Sequence, residues 1–367
     1  MANRFSRVAE GHAQKTFLIM KFSVLVPAYN EEGSIASTLD SLIAVEHLGK
    51  EIIVIDDAST DGTARIVQDF FGKGVVLVAR EINGGRAAAL NSGLQRAAGD
   101  VIITTDADTI VPSGWLKNFE RRFEQNDVVA VGGAYTASNK HNPLVFATSI
   151  LDQILNGLFK KCIIPNKLSG VNSAIRKDIL LSLGGFDESS WWCEDSDLGW
   201  KVKAFGKVAY DPSNVVSTHY PENWQGIWKR KFYWGYAMGL KFREQMPLKI
   251  KLWLRPLAFA ALIFNFMLFL ATVPYGLDVC LAPAIVFCVL LSSLTALYVP
   301  LGLFVLIKNK ERITLKTLSL LAILPLVREF AYVYGMGLGF FKGRVDKITP
   351  TWKEKRNTPT KYTETGT

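Results

Sequence analysis

Residues 22–61, FSVLVPAYNEEGSIASTLDSLIAVEHLGKEIIVIDDASTD, decide the fold. Two short β-rich apolar runs, FSVLVP and EIIVID, flank a helix-like stretch, EEGSIASTLDSLIAV. Apolar runs without alternation suit strands buried on both faces, and strand, helix, strand in that order makes a βαβ unit. The pattern continues with a helix from Gly62, the run VVLVA, a helix over 86–98 and the run VIITTD. Strands alternating with helices predict an α/β domain: a Rossmann-like, doubly wound, mostly parallel sheet. Such sheets bind ligands at the carboxyl ends of their strands. The acidic pairs lie there, Asp56 and Asp57 after the second strand, Asp106 and Asp108 after the fourth. Beyond Gly132 the pattern loosens into a helix at 143–160, the segment GVNSAIRKDIL and the acidic stretch CEDSDLGWKVKAFG.

The rest of the chain has a different character. The 367 residues are 49% hydrophobic, and the apolar ones concentrate beyond residue 256. Residues 257–277 and 279–307 carry no charge, and each is long enough for the ~20 residues of a transmembrane helix. A third apolar stretch, 317–341, is interrupted by Arg328 and Glu329; charges there face protein or water, and the segment either spans or lies in the interface. An all-α transmembrane region is therefore expected at 257–341, after a catalytic domain at 22–223 and an interface linker at 224–256. Residues 1–21 form an extension without a signal-peptide core, and 342–367 form a basic tail. The expected location is the cell membrane, multi-pass, with the catalytic part cytoplasmic. Net charge is +9, but 19 of the 42 basic residues sit at 229–255, 308–316 and 342–361, beside apolar runs. That placement suits anionic lipid and the positive-inside rule, not nucleic acid. Two spans would keep the loop at 308–316 and the tail inside, whereas three would put the tail outside. Trp224, Trp228, Tyr233, Trp234 and Tyr236, interleaved with Lys229, Arg230 and Lys231, fit either a helix at the membrane surface or an ordinary packed aromatic helix. The four cysteines have no CxxC spacing, so disulfides and structural zinc are not expected.

Carboxylate oxygens paired at a strand end suit a hard divalent ion, which in turn neutralises the charge of a phosphate-bearing ligand. Asp106 and Asp108 in TDADT share one side of an extended strand end, so both reach one ion; solvated loop carboxylates are the plainer reading of the triplet alone. A carboxylate can also serve as a base for an acceptor hydroxyl. Asp195 fits, with Glu194 and Asp197 beside it; the same residues also suit an N-cap. VLVPAYNEE and IDDASTDGT place polar groups after buried strands, with Asp57 positioned to read a base, though turn chemistry favours the same residue types. NGGRAAALN puts Arg86 at a helix start suited to a phosphate or ribose.

In combination, VPAYNEE, IDDASTDGT, NGGRAAALNSGL, TDADT, GGFDE and EDSDLGWKVKAFG resemble, in order, the inverting family-two glycosyltransferases of GT-A fold, which include dolichyl-phosphate mannose, cellulose and hyaluronan synthases. The resemblance covers about residues 22–240. It implies that Asp57 contacts the base, that Pro27, Tyr29 and Glu31 line the nucleotide pocket, that Asp106 and Asp108 hold Mg2+ or Mn2+ with the diphosphate, and that Asp195 is the base. It also implies that residues 170–173 and 184–188 border the sugar and acceptor. Processive members carry QxxRW, which Gln225, Gly226, Ile227, Trp228 and Lys229 match only in part; Arg230 is the basic residue left to meet the diphosphate.

The reading that joins these parts is transfer from a UDP- or GDP-sugar to a lipid-linked acceptor, polyprenyl phosphate or glycolipid, at a membrane. Its rivals are a processive polysaccharide synthase, a nucleotidyltransferase that would release pyrophosphate, and a non-catalytic scaffold binding nucleotide sugar.

Overall fold

A computed structural model of the chain describes residues 20–162, 168–189, 194–244, 300, 303–307, 314–342 and 363–365. The first half alternates as expected: β1 (Phe22–Ala28), α1 (Ile35–Ile43), β2 (Lys50–Asp56), α2 (Thr63–Gln68), β3 (Val75–Ala79), α3 (Arg86–Arg96) and β4 (Val101–Thr104). β1 pairs in parallel with β2 and β4, and β2 with β3. The register sets Ala28 opposite Asp56 and Leu25 opposite Thr104, so the loops carrying Tyr29, Asp57 and Asp106 leave one edge of the sheet together.

The second half follows as β5 (Thr109–Ile110), α4 (Trp115–Phe123), β6 (Val128–Ala137), α5 (Pro143–Cys162), β7 (Ser173–Arg176), α6 (Lys177–Ser182), α7 (Glu194–Val202) and β8 (Lys207–Thr218). Then come α8 (Trp224–Glu244), α9 (Leu315–Lys342) and β9 (Thr363–Thr365). The sheet order is β5-β8-β6-β7-β4-β1-β2-β3-β9. β6 and β8 are parallel, while β7 lies antiparallel between β4 and β6, making the sheet mostly but not wholly parallel.

Successive residues of the central strands enter different cores, as a pleated sheet covered on both faces requires. Val24, Val26, Ile52 and Val54 pack with α1, α2 and α4 through Leu39, Val67 and Phe119. Leu25, Ile53 and Ile55 pack with α3, α6 and α7 through Leu90, Leu180 and Leu198. α3 comes closest at Gly93, where a Cβ would meet the Ile55 Cδ1 at 2.7 Å, so alanine there requires the Ile55 side chain to shift.

A third apolar cluster joins α5 (Leu144, Ala147, Ile150, Leu151), α8 (Ile227) and α9 (Leu321, Leu324). α8 and α9 run parallel: Gly235 faces the backbone of Tyr332, Gly239 that of Met336, Gly335 that of Phe232 and Gly339 that of Tyr236. A methyl at any of the four would collide with a backbone carbonyl oxygen, which is how paired small-xxx-small motifs bring helices into backbone contact. The aromatic helix expected at 224–246 packs on α9, with Tyr236, Ala237 and Leu240 buried and Trp224 exposed.

Among the described residues one helix is long and apolar enough to cross a membrane, residues 315–341 of α9. Its Arg328 and Glu329 are both buried against protein. The charge-free runs at 257–277 and 279–307 lie outside the described residues, apart from 300 and 303–307, as do the N-terminal extension up to residue 19 and nearly all of the basic tail.

Candidate active site

The loops after β1 and β2 are stitched to one another. Asn30 donates its backbone N–H to the Ser59 hydroxyl (2.9 Å) and accepts the Thr60 N–H on Oδ1 (2.8 Å). Glu31 N–H reaches Thr63 Oγ1 at 2.8 Å, and Glu32 Oε2 accepts from Gly62 N–H at 2.7 Å. The side chains of Asn30, Glu32, Ser59, Thr60 and Thr63 therefore hold the two loops together. Tyr29 is left exposed, whereas Pro27 and Glu31 are half-buried. Ala58, directly after Asp57, has φ 62°, a left-handed backbone rare for alanine and characteristic of strained functional loops.

Asp57 is buried and its carboxylate is engaged: it forms an ion pair with Arg80 and accepts the backbone N–H groups of Gly84 (3.0 Å) and Gly85 (2.7 Å). Burial pushes its carboxyl up, and Arg80 and the two amides oppose that. In this geometry Asp57 fastens the NGGR loop. Gly85, at φ 80°, makes the turn that starts α3 and delivers Arg86.

Arg86 joins three motifs. Its Nη2 donates to Asp106 Oδ1 (2.8 Å) and to the Gly170 carbonyl (2.8 Å), and its Nη1 to Glu194 Oε1 (2.9 Å). Burial works against the guanidinium charge, but Asp106 and Glu194 outweigh it and hold the charge more firmly than usual. Gly170 N–H in turn donates to Asp195 Oδ2 at 2.9 Å. Asp195 lies inside the first turn of α7, one residue past its first, so it is not the helix's N-cap. Glu194 has its pKa raised by burial and by the Asp195 charge, against the pull of Arg86.

Across from Arg86, Asp108 accepts from the Thr218 hydroxyl at 2.9 Å. Its pKa is raised by burial and by Asp106, while Thr218, Arg230 and His219 offset part of the rise. Glu31 is raised as well, by burial first, then by Asp108, Asp106 and Asp61, with Ser34 opposing. Arg230 comes in from α8, lies over the Tyr220 ring at 4.7 Å from its centroid, and feels the charges of Asp152 and Asp106. The structure therefore gathers Glu31, Arg86, Asp106, Asp108 and Arg230 at one place, with Asp195 joined to them through Gly170. Among the described residues no set of three His, Cys, Asp or Glu side chains is closed into a metal-ligand cluster. The donor chemistry nonetheless fits a hard divalent cation, because Glu31, Asp106 and Asp108 offer carboxylate oxygens close together, with Asp106 now paired to Arg86.

The two expected border segments are held in place by side-chain amides. Asn172 accepts from Trp115 Nε1 (2.9 Å) and donates to the carbonyls of Ala134 (2.7 Å) and Asn214 (2.8 Å). The 184–188 turn is clamped to α3 by Asn91, which donates to the Phe186 carbonyl (2.9 Å) and to Glu188 Oε1 (3.0 Å). No sequence motif singles out Thr218, His219 or Arg80, and Glu194 stands out only as a charge beside Asp195. His219 directly follows β8, the strand that lays Thr218 on Asp108, and pairing across 110 positions leaves no local pattern.

A sheet with acidic loops at the carboxyl ends of its strands, crossed by arginines from two helices, defines an α/β domain of the glycosyltransferase type. Residues 23–183 match the Glycosyl transferase family 2 model, and the chain carries a domain of that family. The poly-beta-1,6-N-acetyl-D-glucosamine synthase of Staphylococcus epidermidis is 30% identical over 239 residues, 63% of this chain and 57% of that protein. The synthase of the same name from Staphylococcus aureus strain MSSA476 is 30% identical over 220 residues, 57% and 52% of the respective chains. The chain thus spans little more than half the length of these curated relatives. A mannosyltransferase from Pyrobaculum calidifontis, solved in complex with GDP-Man and Mn2+, superposes with TM-score 0.55 at 19% identity over 89% of each chain, a likeness of fold.

Proposed function

We propose that the chain is a membrane-associated, inverting glycosyltransferase that moves a sugar from a UDP- or GDP-sugar to a lipid-linked acceptor, polyprenyl phosphate or glycolipid. The observation that carries this is the charge array: Glu31, Asp106 and Asp108 crowd together beside Arg86 and Arg230, an arrangement suited to one cation and a diphosphate. Asp106 and Asp108 would hold Mg2+ or Mn2+, whose charge would neutralise that of the departing diphosphate. Arg86 and Arg230 would supply positive charge to the donor diphosphate. Asp195 takes the proton of the acceptor hydroxyl as its oxygen attacks the anomeric carbon; the carbon–oxygen bond to the diphosphate breaks, and the nucleoside diphosphate leaves with the electron pair. Tyr29, Pro27 and Glu31 line the nucleotide pocket, while Asp57 acts on it through the NGGR loop it fastens.

Membrane attachment rests on α9. Its protein-facing side carries the buried Arg328, whereas Ile323, Phe330, Tyr334 and Phe341 form an exposed apolar stripe. A helix with that division lies in the interface with its stripe in lipid, keeping the site at headgroup level. A processive synthase is the second reading, favoured by the two staphylococcal relatives.

The test is transfer by the full chain in detergent with Mn2+, a UDP- or GDP-sugar and polyprenyl phosphate or lipid extract. One sugar added to lipid, with the anomeric configuration reversed, is expected. A ladder of polymer would select the second reading. Pyrophosphate release, or nucleotide binding without any transfer, would overturn both.

A further inference from the structure

A second set of buried charges sits where α5, α8 and α9 meet, away from the carboxylates. Arg328 on α9, its side chain 2% exposed, forms an ion pair with Asp152 on α5 and points Nη1 at the Thr148 carbonyl (3.4 Å). Lys231 on α8 places Nζ 3.6 Å from the same Asp152 oxygen and lies 4.8 Å from the centroid of the Trp234 ring. The preceding residue on α8 is Arg230, stacked on Tyr220 and under the influence of Asp152 on one side and Asp106 on the other.

This is a costly way to attach a helix. Desolvating each ion costs several kcal/mol, and a pair of apolar residues of similar volume usually holds as well or better. Leu321 and Leu324 already bind α9 to α5 and α8 by apolar contact. The charges therefore do something other than fasten. Burial opposes an ionised Asp152, yet Arg328, Lys231 and Arg230 together keep its carboxyl well below the usual range, so it presents a fixed anion to α8.

The geometry points to Asp152, neutralised by Arg328, as a positioning residue for the donor diphosphate: it anchors Lys231, and with it the turn of α8 that holds Arg230 toward Asp106 and Asp108. This rests on the diphosphate role of Arg230 proposed above. Arg328 sets how strongly Asp152 competes for Arg230. With Arg328 in place Asp152 is satisfied and Arg230 stays free for the donor; with Arg328 neutral, Asp152 turns to Arg230 and draws it from the diphosphate. α9 would then be part of the donor site although it touches no substrate.

The test uses the full chain in detergent, with UDP and GDP plus Mn2+ as binding probes and the preferred nucleotide sugar for kinetics. Arg328→Gln is expected to weaken nucleoside diphosphate affinity and raise donor KM about tenfold, with kcat changed less than threefold. In an Arg230→Gln background the same change should cost nothing further, because the two act as one unit. The paired variant Asp152→Asn with Arg328→Gln leaves no uncompensated Asp152 and so serves as the control should Arg328→Gln be destabilised; with no carboxylate left to draw Arg230 away, its donor affinity should lie between that of Arg328→Gln and wild type, short of wild type because Lys231 has lost its anchor. Wild-type donor KM in Arg328→Gln, or an undiminished loss in the Arg230→Gln background, would overturn the positioning role while leaving the transferase reading standing. Absence of UDP and GDP binding by the wild type would remove both.

Discussion

Replacing Asp195 with Asn separates chemistry from binding. The amide keeps an acceptor oxygen for Gly170 N–H, now 2.9 Å from Asp195 Oδ2, so the segment before β7 that also carries the Arg86 contact stays in place. The lost charge removes the repulsion that raises the Glu194 pKa, so the Glu194 pair with Arg86 at 2.9 Å should strengthen. Asp195→Asn should therefore melt at the wild-type temperature or above. Its kcat should fall by the contribution of a general base, about 10^2 to 10^4-fold, or about 3 to 5 kcal/mol of barrier. The assay follows nucleoside diphosphate release at saturating donor and acceptor, alongside calorimetric donor affinity, which should change less than threefold. Turnover within tenfold of wild type would refute the assignment of Asp195, and joint loss of donor affinity and melting temperature would show a structural role instead.

Asp108→Asn should relieve the crowding with Asp106 and Glu31, raise the melting temperature of the metal-free protein, and abolish the further rise that Mn2+ gives with nucleotide; an unchanged Mn2+ response would dismiss Asp108 as a ligand. EDTA should stop transfer by the wild type, and Mn2+ or Mg2+ added in excess should restore it. Away from the site, Asp211 is held down to about 2 by Arg122 and Ser213 despite burial. Because the folded pKa lies below the unfolded one, this stability is present above pH about 4 and lost as pH falls toward about 2. Asp211→Asn should then cost about 2 kcal/mol at neutral pH and little at pH about 2 in urea melts, and an equal cost at both would deny the ion pair its part. Gly239→Leu should drive α8 from α9, lowering the melting temperature and donor affinity together, whereas Gly337→Leu, with nothing near its Cβ, should do neither.

Much of the catalytic core is legible because central strands buried on both faces must be apolar throughout, as in residues 22–27 and 51–56. Their polar ends then mark the ligand edge of the sheet. The antiparallel β7 is less visible: Ser173–Arg176 is four residues long, and its direction is set by partners on both sides instead of by its own residues. Nothing in DDAST shows that Arg80, Gly84 and Gly85 will take the Asp57 carboxylate, because those partners come from a loop more than twenty residues on. Arg328 stands out as a charge inside an apolar run, but its partner lies 176 positions away. The GYAMG and GMGLG stretches at 235–239 and 335–339 carry the small-xxx-small spacing openly; only the structure shows that they face each other.

The central claim is that these carboxylates and arginines bind a nucleotide sugar with a divalent ion and pass its sugar on. It is tested most directly by exposing the full chain in detergent to a panel of UDP- and GDP-sugars, with and without Mn2+, following melting temperature and nucleoside diphosphate release together. One donor should raise the melting temperature only with metal, because a ligand that binds the folded state stabilises it. The same donor should release nucleoside diphosphate faster when lipid acceptor is added. No shift and no release with any donor, with or without metal, would contradict the account.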